Sequence, residues 1–173
     1  GGTRYIFASP GLASCRCRPL SSNVRRHTSP LSTSNQFIVT QLLDRFYEAL
    51  KVLSSEQLTS CVTEDFMLDW QGSDSIPWAG RWHGVNGLLS FVKVLNEKLQ
   101  ILEVQRLKQF SDQDTTVVLL RGHWKAKESG NEVRAMACNV FTIENDKIKS
   151  YTVLNNTVAF SETLSGRTAQ SAV

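Results

Sequence analysis

The sequence contains few residues of the types that build disulfide frameworks or metal sites. Among its 173 residues there are 4 cysteines and 3 histidines. Cys15 and Cys17 lie near the N-terminus, and Cys61 and Cys138 are far apart, so no disulfide framework and no Cys-x-x-Cys pair is indicated. Three histidines without a spaced group of Cys or carboxylate ligands do not make a metal site. We therefore expect a reducing compartment, no metal and no cofactor.

Long hydrophobic runs are also missing. The longest aliphatic stretch is Val117–Leu120, far shorter than the roughly 18 apolar residues that a membrane-spanning helix needs. The composition, 41% hydrophobic and 20% charged, is typical of one globular domain with an ordinary core. The sequence therefore predicts no membrane partner.

Acidic residues are absent from the first quarter of the chain. Residues 1–43 contain five Arg and no Asp or Glu, whereas the remainder carries 14 Lys and Arg against 16 Asp and Glu. The net charge of +3 therefore comes from the N-terminal segment. Because nucleic-acid binding needs Lys and Arg clustered on a folded face, we expect no nucleic-acid partner.

Residues 1–36 have the composition of a targeting segment. They are rich in Ser and Arg, lack Asp, Glu and Lys, and hold three of the four prolines. Such a segment cannot bury enough apolar surface to offset its ordering entropy, and its composition is that of an organellar transit peptide. The many Ser and Pro favour a chloroplast over a mitochondrion, and a plain disordered tail is the alternative. The run Tyr5–Ala8 is too short for a secretory signal. Residues 165–173 are predicted to be a disordered tail.

Three helices are predicted after this segment. Apolar residues recur at helical spacing from Phe37 to Leu53, which indicates an amphipathic helix. Ser54 and Gln57 have the spacing of a capping box and open a short second helix. An aromatic segment with Gly and Pro, Ile76–Gly84, is predicted to be a tight loop before a third helix that ends near Leu99.

The rest of the domain reads as strands. A short strand is predicted at Phe66–Trp70, before the loop that leads to the third helix. Four further strands are joined by short turns, which indicates an antiparallel meander: Ile101–Phe110, Thr115–Ala126, Glu132–Ile143 and Lys147–Leu154. Asn156 is predicted to cap a last short helix that reaches about Leu164. Residues 37–164 therefore form one α+β domain.

Four motifs follow one another in an order that resembles a known family. They are an aromatic first helix, an acidic entry to the first strand, the aromatic loop and the last hairpin: Phe46–Leu50, Glu64–Leu68, Pro77–Gly84, and Phe141–Ile143 with Asp146–Ile148. In this order and at this spacing, the chain resembles the SnoaL-like branch of the nuclear transport factor 2-like, or ketosteroid isomerase-like, superfamily. The resemblance covers residues 37–164.

The resemblance implies a conical (cystatin-like) α+β barrel, in which three N-terminal helices pack on a curved antiparallel sheet. It also implies a pocket between sheet and helices, and a homodimer formed through the outer face of the sheet. Isomerases, cyclases, epoxide hydrolases, dehydratases and proteins that only bind ligands share this fold. The fold therefore does not supply the function.

The steroid isomerases of this superfamily use an oxyanion hole formed by a Tyr on the first helix and a protonated Asp on a central strand. The matching positions here are Phe46 and Cys138, and the position of the general base matches Trp70. Tyr47 and Asp69 each lie one residue away from a matching position, and strand alternation places Asp69 on the opposite face from Trp70. Because two one-residue shifts are needed, the resemblance does not favour steroid isomerase chemistry.

The limonene epoxide hydrolases, also similar in fold, place an Arg and an Asp two residues apart on one strand and a second Asp on the last strand. Arg121 and His123 have the first spacing, but the second Asp position falls near Val153. The remaining candidates for a general acid or base are Asp69, His83 and His123. The competing interpretation is that His123 points away from the pocket and that His83 only makes a hydrogen bond at a helix entry.

A hydrophobic pocket that binds a small apolar molecule is the leading hypothesis, with catalysis unproven. The alternatives are a small acid/base enzyme, an isomerase, cyclase or hydrolase, and a protein-interaction module that uses the sheet face. Asn139, Asn155 and the hydroxyl of Tyr151 are candidates to hydrogen-bond a ligand, or else mark a dimer face. The residues expected to line the pocket are Phe46, Phe66, Leu68, Trp70, Trp82, Trp124, Cys138, Val140 and Tyr151.

Overall fold

The computed structural model describes residues 33–166, and the expectations for residues 1–32 and 167–173 lie outside this range. The described residues form helices α1 to α4 and strands β1 to β6. In chain order these are α1 (Thr33–Val52), α2 (Ser55–Cys61), β1 (Val62–Trp70), β2 (Gly80–His83), α3 (Gly84–Lys98), β3 (Leu99–Asp112), β4 (Thr115–Ala126), β5 (Glu132–Glu144), β6 (Lys147–Asn155) and α4 (Thr157–Leu164).

One curved sheet holds all six of these strands, in the spatial order β2-β1-β6-β5-β4-β3. The meander of β3, β4, β5 and β6 is antiparallel, as predicted. Two features of the predicted fold are corrected. Strand β1 runs parallel to β6, and the sheet stays open, with β2 and β3 at its edges, instead of closing into a barrel.

The helices pack against one face of the sheet, which we call the inner face. Only α1 and α2 precede the first strand, whereas α3 follows β1 and β2 and α4 ends the domain. The expectation of three N-terminal helices is corrected accordingly. Helix α1 begins at Thr33, one turn before the predicted start, and its first side chains with described burial, from Asn35 to Ile38, are exposed. Its buried stripe starts at Leu42 and continues through Phe46 to Ala49.

Local capping and turn signals are confirmed. The Ser54 hydroxyl accepts a hydrogen bond from the Gln57 amide at 3.3 Å and caps α2. The Asn156 side chain accepts one from the Ala159 amide at 3.1 Å and caps α4. The hairpin between β5 and β6 turns through Asn145 and Asp146, whose φ angles of 51° and 59° suit a two-residue turn.

Strand β2 is absent from the sequence prediction, which treats this segment as a tight loop. It has only four residues, begins at Gly80 and is followed by Gly84, and the φ angles of these glycines are 107° and 63°. Glycine adopts positive φ without strain because it has no Cβ atom, so these two residues let the chain turn sharply at either end of the strand. The pairing of Trp70 with Gly80 then adds β2 to the edge of the sheet beside β1.

The core lies between the inner face and the helices, and it contains two aromatic groups. One surrounds Phe46, whose ring lies within 6.3 Å of four others, centroid to centroid: Tyr47, Phe66, Phe141 and Tyr151. The second consists of Trp70, Trp78, Trp124 and Phe160. Within residues 33–166, no helix has the length and apolar character needed to cross a membrane.

Candidate functional site

A cavity of about 740 Å³ lies between the inner face of the sheet and the helices. Strands β4, β5 and β6 form its floor, α1, α3 and α4 form its walls, and the N-terminal half of β3 lies at one side. Its lining is mostly aliphatic and aromatic, with a few polar side chains at defined positions. This combination is typical of sites for small organic molecules.

The second aromatic group forms one end of the cavity, which we call the aromatic end. Trp70 comes from β1, Trp78 from the loop before β2, Trp124 from β4 and Phe160 from α4. The ring centroids lie 5.2 to 6.2 Å apart, and most of the pairs have edge-to-face geometry. Residues from four separate elements therefore hold this wall in place.

Two glycines leave room for tryptophan rings in this wall. A Cβ atom built on Gly122 would lie 1.8 Å from the Trp124 indole, and one built on Gly72 would lie 2.4 Å from the Trp70 indole. Real Cβ atoms do not approach a ring so closely, so each indole occupies space that a larger residue would fill. The two glycines thus determine where the rings lie and how wide the aromatic end is.

A hydrogen-bonded group of Tyr47, Asn139 and Tyr151 borders the cavity nearer to the first aromatic group. Asn139 is 2% exposed, and its amide nitrogen donates to both tyrosine oxygens at 2.9 Å. Each tyrosine oxygen acts as an acceptor in this geometry, so each hydroxyl proton remains available for another acceptor. We call Tyr47 and Tyr151 the tyrosine pair.

Burial keeps the tyrosine pair neutral. It raises the pKa of Tyr47 to about 12, although the hydrogen bond from Asn139 and the charge of Arg106 act in the opposite direction. Burial, and then the proximity of Tyr47, raise the pKa of Tyr151 well above its ordinary value. Both groups are therefore hydrogen-bond donors, and not anions, throughout the physiological pH range.

Charged side chains are found at the border of the cavity beside α1. The Arg106 guanidinium lies 5.3 Å from the Tyr47 ring centroid and forms a 2.9 Å ion pair with Asp44. Glu48 pairs with Lys51 at 2.6 Å, and both of these side chains are largely exposed. These charges therefore mark the rim of the cavity.

Two buried polar atoms near the aromatic end have no hydrogen-bond partner in the described part of the chain. They are the indole nitrogen of Trp78 and the side-chain oxygen of Asn155. Both residues border the cavity, and Trp78 is fully buried. One atom is a donor and the other an acceptor.

Three of the nine residues expected to line the pocket border this cavity: Trp70, Trp124 and Tyr151. Phe46, Phe66 and Leu68 do not border it and are part of the packed core beneath the helices. Those three positions are corrected from lining to core.

The prediction that Trp82, Cys138 and Val140 line the pocket is corrected for a different reason. The Trp82 ring packs on Phe91 of α3, and its N–H donates to the carbonyl oxygen of Trp78 at 3.1 Å, so it supports the loop and does not face the cavity. Cys138 and Val140 lie on the outer face of β5. Strand alternation turns their neighbour Asn139 inward.

The three candidate acid/base residues do not border the cavity either. Asp69 lies on the opposite face of β1 from Trp70 and pairs with Arg81 at 3.4 Å. His83 is the N-terminal flanking residue of α3 and makes no side-chain capping bond. His123 lies on the outer side of β4 and contacts Glu132 at 2.7 Å. Among residues 33–166, no group of three or more His, Cys, Asp and Glu is arranged to hold a metal ion.

Sequence reasoning singled out Asn139 and Tyr151 as candidates to hydrogen-bond a ligand, but it missed two other residues of the polar part of the cavity, Tyr47 and Arg106. The resemblance to the steroid isomerases matches the oxyanion-hole tyrosine to Phe46, one residue before Tyr47. No sequence pattern points to Arg106. The helical stripe around Phe46 indicates one face of α1, and Tyr47 lies at the margin of that stripe, so no periodic signal could identify it. Arg106 follows a bulge in β3 between Ile101 and Glu103, which changes the face on which later residues lie.

Comparisons with known proteins agree with this architecture. A family described as "SnoaL-like domain" matches residues 43–151. An NTF2-like protein from Burkholderia xenovorans LB400 is 16% identical, with a TM-score of 0.69 over 79% of this chain and 98% of its own. A proposed isomerase from Rhodopseudomonas palustris is 18% identical, with a TM-score of 0.63 over 73% and 97%. A proposed SnoaL-like polyketide cyclase from Jannaschia sp. CCS1 is 15% identical, with a TM-score of 0.62 over 75% and 92%. No curated protein matches.

Proposed function

Since this chain belongs to the SnoaL-like domain family, we propose that it binds a small, mostly apolar molecule in the cavity. An oxygen atom of this molecule accepts hydrogen bonds from the tyrosine pair. The proposal depends on one observation: Asn139 holds two neutral tyrosine hydroxyls at the border of an apolar cavity. Two donors with protons to spare suit an acceptor such as a carbonyl oxygen.

The electrostatics of the cavity support a neutral ligand. Burial that raises the pKa of Tyr47 to about 12 also penalises any other unpaired negative charge at the same depth. The nearest positive group, Arg106, is already paired with Asp44. A neutral ketone or ester therefore fits the tyrosine pair better than a carboxylate does.

The test compares two probes that differ only in the oxygen. Benzylacetone carries a ketone on an apolar body, and butylbenzene has no oxygen. Binding is followed by the fluorescence of Trp70, Trp78 and Trp124, which border the cavity. We expect the ketone to bind about tenfold more tightly, the advantage expected of one well-formed hydrogen bond. Tyr47→Phe and Tyr151→Phe should reduce this advantage without weakening the binding of butylbenzene.

A matched control removes a hydroxyl from the outer face of the sheet. Thr152 lies next to Tyr151 on β6 but does not border the cavity. Thr152→Val should leave both affinities unchanged. The proposal would be contradicted if neither probe bound. It would also be contradicted if both tyrosine variants still bound benzylacetone more tightly than butylbenzene by the same factor as wild type.

Acid/base catalysis on a bound carbonyl compound is a second candidate. It is favoured by the same tyrosine pair, because neutral donors at a carbonyl oxygen stabilise the negative charge that develops when a proton leaves the adjacent carbon. Carboxylates that could take this proton border the cavity on α1 and β3: Asp44, Glu48 and Glu103. Exchange of the α-protons of benzylacetone in D₂O, followed by NMR, tests it. Faster exchange with the protein, lost in Tyr47→Phe, would support catalysis, and an unchanged exchange rate would exclude it for this ketone.

A homodimer and organellar import complete the proposal. Met136 and Leu154 are exposed on the outer face beside the half-buried Val140, and a second copy of the chain would cover this apolar surface.

Import into a chloroplast, or alternatively a mitochondrion, is supported by the acid-free, Arg-rich composition of residues 1–36. A fusion of residues 1–36 to a fluorescent protein tests import, since retention in the cytosol would contradict it.

A further inference from the structure

We propose that the ligand carries a hydroxyl group, which binds at the aromatic end between the indole nitrogen of Trp78 and the side-chain oxygen of Asn155. This inference rests on the proposed function, because it assigns a second polar contact to the same ligand. It narrows the ligand class to apolar molecules with two oxygen functions, one at the tyrosine pair and a hydroxyl at the aromatic end.

The Trp78 indole nitrogen is a buried donor without an acceptor. Trp78 is fully buried, and its ring packs against Trp70 and Phe160 at centroid distances of 5.8 and 6.2 Å. By contrast, the neighbouring Trp82 uses its own N–H to donate to the Trp78 carbonyl. Buried tryptophan N–H groups usually have a hydrogen-bond partner. We therefore expect a molecule in the cavity that Trp78 borders to supply the acceptor for its N–H.

The Asn155 oxygen is a buried acceptor without a donor. Asn155 is the last residue of β6 and immediately precedes the cap of α4, the helix that carries Phe160. Two residues before it, Val153 pairs with Trp70 of the aromatic end, and Asn155 borders the cavity together with Trp78. One donor and one acceptor are left over in the same region.

A hydroxyl group has the hydrogen-bonding capacity that the two atoms together require. Its oxygen can accept a hydrogen bond from an N–H such as that of Trp78, and its proton can be donated to an amide oxygen such as that of Asn155. A carbonyl oxygen could satisfy only Trp78, and an ammonium group could satisfy only Asn155. A bound water molecule has the same hydrogen-bonding capacity, and the test below distinguishes it from a ligand hydroxyl.

The register of β6 indicates the shape of the ligand. Tyr151, Val153 and Asn155 alternate along one face of the strand and all border the cavity. Tyr151 and Asn155 are four positions apart along the strand, or about 13 Å between their Cα atoms. A molecule that contacts both ends is therefore elongated, with its two oxygens at opposite ends of an apolar body.

The test compares benzylacetone with para-hydroxybenzylacetone, which adds a hydroxyl at the end opposite the ketone. We expect the hydroxylated probe to bind wild-type protein about tenfold more tightly, because it gains two hydrogen bonds at the cost of desolvating one hydroxyl. The preference is the ratio of the two affinities measured on the same variant, and Trp78→Phe and Asn155→Leu should each reduce it to about twofold or less. Asn96→Leu is the matched control, since it removes another amide that borders the cavity, on α3, and should keep the preference.

The outcomes separate this inference from the proposed function. If wild-type protein binds both probes equally, the hydroxyl site is refuted, the two atoms are satisfied by water, and apolar binding stands. If neither probe binds, the proposed function fails as well. If the preference persists in both Trp78→Phe and Asn155→Leu, the hydroxyl binds elsewhere and the assignment of these two residues is wrong. The comparison of probes on wild-type protein needs no variant, so it decides the hydroxyl preference even if one variant fails to fold.

Discussion

Replacing Gly122 by Ala should move one wall of the cavity. A Cβ atom at this position would lie 1.8, 2.2 and 2.4 Å from three atoms of the six-membered ring of Trp124. Carbon atoms in contact are separated by about 3.5 to 4.0 Å, so the ring must retreat by about 2 Å. The Trp124 ring also packs on Phe160 at 5.2 Å, and this contact is disturbed when the ring moves.

We expect Gly122→Ala to lower the free energy of unfolding by about 1–3 kcal/mol, the usual cost of overpacking. In the absence of the ring the same substitution should be neutral or stabilising by about 0.4–1 kcal/mol, because alanine restricts the unfolded chain more than glycine does. Trp124→Leu supplies this background, since leucine lacks the ring atoms that collide. The double-mutant cycle should therefore give a coupling of about 1–4 kcal/mol between positions 122 and 124.

Urea denaturation of wild type, both single variants and the double variant measures this coupling, and titration with benzylacetone measures the change in the cavity. Gly122→Ala should weaken binding, because the cavity is the free space beside the ring. A Gly122→Ala variant that is as stable as wild type, or effects that simply add in the double variant, would refute the packing argument. Strong destabilisation with unchanged affinity would show that the ring moves away from the cavity.

Three further predictions concern pH, assembly and the N-terminal segment. The pKa of Tyr47 is about 12 in the folded protein and about 10 in the unfolded chain. Between these two pH values the Tyr47 hydroxyl therefore loses its proton mainly in the unfolded chain. The free energy of unfolding should therefore fall by up to about 2–3 kcal/mol as pH rises from about 10 to 12, and urea titrations should show a smaller fall in Tyr47→Phe. Light scattering at micromolar concentration should find a dimer that Val140→Asp dissociates, and a wild-type monomer would count against the outer-face interface. A chain that begins at Thr33 should melt at the temperature of the full chain, since the first side chains of α1 are exposed, and a large loss of stability would contradict this.

Local sequence patterns predicted most of the secondary structure. The caps at Ser54 and Asn156 and the turn at Asn145 and Asp146 depend on residues within a few positions of each other, so they can be recognised without the fold. The strands of the meander were predicted for the same reason, because each is bounded by a turn of its own. The family resemblance then supplied the packing of helices on one curved sheet.

The faces of the elements could not be read so directly. Strand β5 carries apolar residues on both sides, with Ala135 and Ala137 alternating with Met136, Cys138 and Val140, so its pattern does not indicate which set is buried. The same ambiguity applies to α1, where Phe46 and Tyr47 are both aromatic and adjacent. On each of these two elements, a residue that makes only hydrophobic contacts lies next to one that belongs to the hydrogen-bonded group at the cavity. A prediction that is wrong by one residue therefore exchanges the two roles.

The amino-acid sequence by itself therefore determined where the helices, the turns and every strand except β2 lie, because those depend on neighbours along the chain. Only the tertiary structure decided that β1 pairs parallel with β6, that Asn139 and Tyr47 face inward, and that Trp78 and Asn155 are buried at one end of the cavity. These features depend on contacts between residues far apart in sequence, whose register is set by how the helices and the sheet pack against each other.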